Sequence, residues 1–346
     1  MRAAVWGTGN MGRAGIRAVL AHPQLELCGV IGRSRAGEDA GELAGVGRLG
    51  VTVSPDAPPD LDALVYMASG DIRPDDAAAD ITGCLRTGAV VVTPSLYALY
   101  DPASAPASLR ESLDKACQDG GAALFVSGID PGWGNDVLPV LLTGVASTII
   151  QVRCQELFDY SAYDQPDAVR GSVGMGAPME QTPLMVAPGI PSMIWGGQLR
   201  MMARALGVEL DEVREQVERR ALDDDVTNAM GLFEKGTQGG LRFEIQGVVG
   251  GEVKLVVEHV TRISAAVAPD WPSPPDGGSG AHRIIIEGHP RIVVTIEATD
   301  EDGNRAAGGN ATAAARLVNA IPWLRRASPG IYDALQVPLT PAVGRL

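Results

Sequence analysis

Six residues near the start of the 346-residue chain, Gly7-Thr8-Gly9-Asn10-Met11-Gly12, read G-x-G-x-x-G. They follow a short apolar run, Ala3–Trp6, and open a helical pattern over Met11–Ala21. Between a strand and a helix each glycine has a steric task. The first permits a tight turn, the second lets the backbone approach a diphosphate, and the third lets helix and strand pack closely. The diphosphate then meets unpaired N–H groups at the helix N-terminus. A glycine-rich turn without a ligand is the plainer alternative, and the position of the motif argues against it. The next strand ends in Val30-Ile31-Gly32-Arg33-Ser34-Arg35, with no carboxylate before Glu38. A site selective for NAD places a carboxylate near that strand end to hold the ribose 2′-hydroxyl. Arg33, Ser34 and Arg35 suit a 2′-phosphate instead, because guanidinium groups give charge-assisted bonds to phosphate oxygens. NADP is therefore the expected cofactor, with NAD as the alternative.

A nicotinamide site asks the protein for position, electrostatics and often one proton. Tyr97, Tyr100 and Asp101 follow a strand run at Ala89–Thr93, and a tyrosine hydroxyl there can donate a proton or hold a substrate atom. The competing view is a plain Asp101-Pro102 turn with packed tyrosines. Glu156, Asp159, Tyr160, Tyr163 and Asp164 form a second polar-aromatic cluster. On a strand Glu156 and Phe158 share one face and Leu157 and Asp159 the other, so the run cannot point entirely into a pocket. A carboxylate in it can pair with a cationic amine or iminium; a solvated strand end is the alternative. His22, His259, His282 and His289 show no paired spacing, so no metal site is expected. His259 follows the Val253–Val257 strand and reads as an ordinary sheet histidine or a cleft residue.

The elements that must position these residues are legible in outline. Strand runs at Ala3–Trp6, Leu25–Ile31, Ala63–Ala68, Ala89–Thr93 and Ala123–Ser127 alternate with helical patterns at Met11–Ala21, Asp75–Thr87 and Ala107–Asp119. Such alternation predicts βαβ units and a doubly wound parallel sheet. After Gly132 the character changes. Ile149–Phe158 begins a strand-rich region, and Tyr163–Pro191 reads as a long irregular loop. Met193–Leu206 and Asp211–Arg220 read as helices, the second with Leu210, Val213 and Val217 on one face. Leu241, Phe243 and Ile245 alternate with polar residues, Gly250-Gly251 reads as a hairpin turn, and Val253, Leu255 and Val257 continue the alternation. Arg283–Glu287 and Arg291–Ala298 predict a further hairpin. A mainly antiparallel sheet follows. Ala311–Ile321 predicts a late helix with Asn310 as N-cap and Pro322 closing it. The expected division is a dinucleotide-binding domain over 1–135, an α+β substrate and dimerisation domain over 136–305, and a C-terminal helix and tail over 306–346 that returns to the first domain.

Composition removes several classes of function. Hydrophobic residues at 45% exclude disorder, and a net charge of −14 argues against nucleic acid or an anionic membrane surface as partner. No apolar stretch reaches the length of a membrane span. The four cysteines form no C-x-x-C pair, and Met1-Arg2-Ala3-Ala4-Val5-Trp6 carries no basic-plus-apolar leader, so a reduced, cytoplasmic setting is expected. An apolar sheet face left over would need a cover, which predicts a homodimer.

Gly7–Gly12, Gly37–Leu43, Gly128-Ile129-Asp130-Pro131-Gly132-Trp133, and Gly309–Thr312 with Val318–Pro322 together resemble the dihydrodipicolinate-reductase-like superfamily. The nearest branch is that of the 2,4-diaminopentanoate and native amine dehydrogenases. The resemblance implies a Rossmann domain and a substrate domain closing over a nicotinamide. It also implies hydride transfer at a C–N carbon, with an amine and water giving a carbonyl compound and ammonia, or the reverse. By resemblance Trp133 lines the pocket, and Ser69 and Asn310 join the glycine turn and Arg33–Arg35 as cofactor contacts. Two departures stand out. The His-His pair and the Lys-x-Asp-x-Pro-Ser-Gly stretch of dihydrodipicolinate reductases are absent. The amine dehydrogenases' ammonium-binding glutamate has no counterpart in Thr93–Asp101. The expectation is thus an NAD(P)-dependent oxidoreductase acting on CH–NH2 or C=N groups of a small molecule, with Tyr97, Tyr100, Asp101 and Tyr160 as catalytic candidates. Trp133, Glu156, Asp159 and Tyr163 are the candidates for substrate binding. A carbonyl or conjugated C=C reductase, or an NADP-binding protein without chemistry, are the alternatives.

Overall fold

The computed structural model describes residues 1–70, 73–162, 166–275, 278–300 and 303–345. The chain divides into two compact units, Met1–Trp133 together with the segment from Gly309 onward, and Gly134–Gly308.

The first unit begins with β1 (Arg2–Trp6), α1 (Asn10–Ala21), β2 (Glu26–Ile31), α2 (Ala40–Ala44), β3 (Val53–Ser54) and β4 (Ala63–Tyr66). It continues through α3 (Pro74–Arg86), β5 (Val90–Thr93), α4 (Ala107–Gly120) and β6 (Ala123–Val126). These strands are all parallel and lie in the order β3-β2-β1-β4-β5-β6. The sequence explains the burial. Val90-Val91-Val92-Thr93 and Ala63-Leu64-Val65-Tyr66 are apolar on both faces, as a sheet covered by helices on each side requires. Helix α1 buries Gly12, Gly15, Ile16 and Val19, a three-to-four spacing that forms a single stripe. Helix α3 starts with Pro74, whose missing N–H costs nothing at a first turn, and α4 stops at Gly121, whose φ of +64° a side chain would resist.

The second unit comprises α5 (Val137–Thr143), β7 (Thr148–Asp159), α6 (Ile190–Leu206), β8 (Glu212–Ala221), β9 (Val226–Asn228), β10 (Gly231–Phe233), β11 (Gln238–Val249), β12 (Glu252–Arg262), β13 (Gly280–His289) and β14 (Ile292–Ile296). Strands β9 and β10 form a small hairpin, and the others make one sheet in the order β14-β13-β7-β12-β11-β8. The pairs are antiparallel except β7 with β12, which is parallel. One face carries Val152, Cys154, Leu255, Val257, Ile245, Ile284 and Ile286, which share a core with Trp195, Leu199 and Met202 of α6.

The chain then returns to the first unit through α7 (Arg305–Leu324) and β15 (Gly330–Tyr332), which adds a seventh parallel strand beside β6. Leu317, Val318 and Ile321 of α7 are fully buried. Arg325 donates to the Gly88 carbonyl (2.9 Å) and pairs with Asp62 (3.2 Å), fixing the helix end.

The fold class, a doubly wound parallel sheet with a second, mixed-sheet unit, is the expected one. Three local expectations are corrected. Residues 211–220, read as a helix, form β8. Val213 and Val217 are four apart, a spacing common to a helix face and to one side of a strand, and the Glu and Arg residues between them suit a sheet edge. The late helix starts at Arg305 rather than after Asn310, because Ala307 and Ala311 favour helix and Asn304 accepts a hydrogen bond from the Ala307 N–H (3.3 Å). Pro322 lies within its last turns and does not close it. The segment Tyr163–Pro191, read as an irregular loop, holds a π-helical turn at Asp167–Ser172 and a 3-10 turn at Leu184–Val186, and its last two residues begin α6. Among the described residues no helix is long and apolar enough to cross a membrane.

Candidate active site

In the first unit the order of connection reverses at β1, with β2 on one side and β4 on the other. Ligands of such sheets sit beyond the carboxyl ends of the strands at that reversal. Gly7 leaves β1 with φ +126°, and its N–H donates to the Ile31 carbonyl (2.9 Å). A Cβ on Gly7 would lie 2.8 Å from the Met67 carbonyl carbon, and one on Gly12 only 2.1 Å from the Gly7 oxygen. No side chain fits at either position without moving backbone. Gly9 is different. It caps α1 with no side-chain hydrogen bond, and a Cβ there would meet no protein atom within 4 Å. The open position at Gly9 thus lies beside the first-turn amides of α1, with the positive end of the helix dipole behind them. These residues, with Thr8, fit a dinucleotide diphosphate.

The neighbouring strand ends carry the other cofactor candidates. Ser69 is exposed three residues beyond β4, and the Ser95 hydroxyl beyond β5 donates to the Ala68 carbonyl (2.5 Å), so these loops lie together. Arg33 and Ser34 are exposed beyond β2, and Arg35 pairs with Glu38 at 3.2 Å. Asn310 is half-buried within α7. Among the catalytic candidates, the Tyr100 ring is buried in the core and its hydroxyl donates to the Pro94 carbonyl (3.0 Å). Tyr97 is half-buried and stacks on Tyr100, and Asp101 is buried. Trp133 is half-buried at the end of the unit, its N–H donating to the Gly128 carbonyl (3.0 Å).

In the second unit strand register assembles what the sequence scatters. Glu156 on β7 pairs with His259 of β12 on one side and His282 of β13 on the other. His259 in turn pairs with Phe243 of β11. Directly paired residues point to the same face, so the four form one row across the sheet. The row sits where the aliphatic core of that face ends. The His282 Nε2 lies 3.4 Å from Glu156 Oε2, and Glu156 and His259 have ligating atoms within 4.8 Å. Rings enclose the row: His259 stacks on Phe243 (4.6 Å between centroids) and meets Trp195 of α6 at 4.3 Å, and Phe158 meets His282 at 5.6 Å and Tyr160 at 6.4 Å. A carboxylate with 17% of its side chain exposed, set among aromatic faces, is a site for a cation: the carboxylate supplies charge and the rings supply cation–π attraction. Asp159 is turned to a local task, its carboxylate accepting from the Ser161 N–H (2.8 Å). Tyr163 and Asp164 lie outside the described residues. His282 is the residue sequence reasoning passed over, and His259 was weighed only as an ordinary sheet histidine or a cleft residue. Their strand alternation was visible, but nothing in it showed that they flank Glu156.

The opposite face of the same sheet is charged. Fully buried Glu258 accepts from Arg153 (2.5 Å), Arg242 (2.8 Å) and Gln155 (2.8 Å), and Glu244 accepts from Arg153 (2.7 Å), Arg242 (3.1 Å) and Gln246 (2.6 Å). Burial works against the charge on Glu244, and the Arg153 and Gln246 hydrogen bonds with both guanidinium charges outweigh it, holding its carboxyl below the ordinary range.

Residues 1–66 match the family model described as dihydrodipicolinate reductase, N-terminus, and residues 135–345 match that of the 2,4-diaminopentanoate dehydrogenase C-terminal domain. The chain is 62% identical to an amine dehydrogenase of Streptomyces virginiae over 99% of its own length and 97% of the relative's. It is 22% identical to the 2,4-diaminopentanoate dehydrogenase of Acetoanaerobium sticklandii, covering 98% of this chain and 94% of that one. In fold it is similar to the amine dehydrogenase of Mycobacterium smegmatis, with a TM-score of 0.76 at 21% identity over 99% of this chain and 97% of that one.

Proposed function

The chain belongs to the family of the 2,4-diaminopentanoate and amine dehydrogenases, and from that premise we propose that it interconverts a small amine and its carbonyl compound with NADP. It is an oxidoreductase acting on amines, and the family and the parallel-sheet fold imply a nicotinamide cofactor. The observation that carries the substrate assignment is the row His282–Glu156–His259, a carboxylate in an aromatic enclosure where the sheet's aliphatic core ends.

In the oxidative direction the ammonium form of the substrate meets Glu156, whose carboxylate binds the charge and accepts one proton, leaving a neutral amine. A nicotinamide cofactor, held by the Gly7–Gly12 turn, would supply the hydride acceptor for the amine-bearing carbon. Water adds to the resulting iminium carbon, and the C–N bond breaks to release ammonium. The balance is one amine cation, one oxidised nicotinamide and one water giving one carbonyl, one ammonium, one reduced nicotinamide and one proton. His282 approaches the carboxylate at 3.4 Å and His259 flanks it on the other strand, with the Trp195 and Phe243 rings packed on His259. This arrangement supplies a carboxylate for ammonium although Thr93–Asp101 contains no glutamate. In the first unit Gly7, Thr8, Gly9, Asn10, Met11 and Gly12 would hold the diphosphate. Support for NADP is the absence of a carboxylate at the end of β2, where Gly32 and Arg33 stand instead. Exposed Val293, on the sheet face opposite α6, supports a homodimer.

The test is absorbance at the reduced-nicotinamide band with a panel of short amines and NADP or NAD, and with ketones plus ammonia in reverse. Turnover that requires ammonia in the reductive direction is expected. Reduction of ketones at an equal rate without ammonia would overturn the amine assignment, and faster turnover with NAD would overturn the cofactor preference. Elution at monomer mass in size-exclusion chromatography would overturn the dimer.

A further inference from the structure

Arg13 follows the glycine turn directly, and it opens a cleft of about 640 Å³ in the first unit whose charged lining is Arg13, Arg35, Arg48, Glu38, Asp39 and Glu42. The lining balances three cations against three carboxylates, and hydrogen bonding separates those already engaged from those still available to a ligand. Asp39 accepts four backbone N–H groups, from Gly41 (2.8 Å), Glu42 (3.2 Å), Leu49 (3.0 Å) and Gly50 (2.7 Å). Those bonds, the one from Leu49 foremost, hold its carboxyl below the ordinary range, so it has little capacity left for a ribose hydroxyl. Glu38 is paired with Arg35. Glu42 lies in the first turn of α2, where the helix dipole favours a carboxylate. On the cationic side, Arg13 Nε is shielded from solvent and has no acceptor among the described residues. Arg48 is exposed in the cleft lining. It precedes Leu49 and Gly50, two of the four residues that Asp39 ties to the start of α2.

We propose that Arg13 and Arg48 form a clamp for a phosphomonoester in this cleft, that its ligand is the ribose 2′-phosphate of NADP, and that Asp39 is the positioning residue that sets Arg48. This rests on the cofactor preference proposed above and names the residues that produce it. Two guanidinium groups from separate segments approach a dianion from different directions, each with several N–H donors. The loop carrying Arg48 has no regular secondary structure of its own, and the Asp39 carboxylate supplies the fixed attachment that a helix or strand would otherwise give.

Calorimetry of the full chain with 2′,5′-ADP, 5′-AMP and inorganic phosphate tests this without any turnover, so a failure of the amine assignment leaves the test intact. The wild type is expected to bind 2′,5′-ADP at least about tenfold more tightly than 5′-AMP, the scale of one or two charge-assisted hydrogen bonds. Arg48→Ala should erase most of that ratio while moving 5′-AMP affinity by less than about twofold, Arg48→Lys should restore part of it, and Arg13→Gln should act in parallel. Asp39→Asn should lower the same ratio, and adding Arg48→Ala to it should cost little more, because the two act through one contact. Equal binding of the two nucleotides by the wild type overturns both the NADP preference and the clamp. A ratio that survives Arg48→Ala overturns the clamp and leaves the preference standing. Asp39→Asn weakening both nucleotides alike overturns its positioning role. Inorganic phosphate binding as tightly as 2′,5′-ADP makes the cleft a free-anion site and overturns the cofactor assignment.

Discussion

In the first unit the proposed ligand contacts are main-chain N–H groups at the start of α1, with glycines at 7, 9 and 12 around them. In the second they are side chains from three strands, Glu156, His259 and His282, brought side by side by register alone. A backbone site is specified by a contiguous run and is intolerant of added atoms. A side-chain site is specified by pairing between distant segments and is intolerant of altered charge. The two should therefore fail in different ways, and substitutions can separate them.

The largest effect is expected for Gly12→Ala. Its Cβ would lie 2.1 Å from the Gly7 oxygen, and backbone on both sides must shift. A loss on the order of 3–5 kcal/mol follows, read as a fall in the melting temperature of the first unit together with loss of cofactor binding. Glu258→Ala comes next. Removing a fully buried carboxylate takes one of two carboxylate partners from Arg153 and Arg242; both keep Glu244 and are partly exposed, so the expected cost is about 3 kcal/mol, toward the lower part of the range for broken buried pairs. Chemical denaturation reads it, with cofactor affinity unchanged. Glu156→Gln keeps the shape of the row and removes its charge. The amine kcat/KM should fall about 100-fold, some 2.7 kcal/mol of transition-state stabilisation, while melting temperature and cofactor affinity stay put. If cofactor affinity falls equally, the side-chain row is not the amine site. Gly9→Ala is the sharper partner of Gly12→Ala. Its Cβ meets no protein atom, so stability should be retained while dinucleotide affinity falls about tenfold; unchanged affinity would show that the diphosphate lies elsewhere.

The smallest effect is on acid stability. The folded-state carboxyl of Glu244 is held below its ordinary value of 4.5. Its stabilising contribution is therefore fully present above that pH and is lost as pH falls through the depressed folded value. Melting temperature of the second unit should be flat from pH 7 to about 5 and decline below that, and Glu244→Gln should flatten the acid limb. An acid limb unaltered in that variant would assign the decline to other carboxylates.

The same contrast explains what could be read from the chain in advance. The turn Gly7–Gly12, the strands on either side and the parallel order follow from local spacing, because each needs only its own neighbours. Residues 211–220 were misread because valines four apart satisfy both periodicities, and only the edge position beside β11 decides between them. Glu156 stood out as a charged residue among aromatics. Its flanking histidines lie more than a hundred residues further along the chain, and no local signal ties them to it. Arg48 was silent for a related reason. Its proposed role depends on the four-amide attachment through Asp39, a tertiary feature without a spacing rule.

The return of α7 and β15 to the first unit means that the second unit is inserted within it. During synthesis the glycine turn emerges before the inserted unit, yet the sheet that supports it lacks an edge strand and a buried helix until the segment after that unit has followed. The inserted unit, contiguous in the message, can fold while its host is still unfinished. The part of the first unit that precedes the insertion is in this way completed only by the segment that follows it, so dinucleotide binding at the proposed turn is expected to depend on both segments.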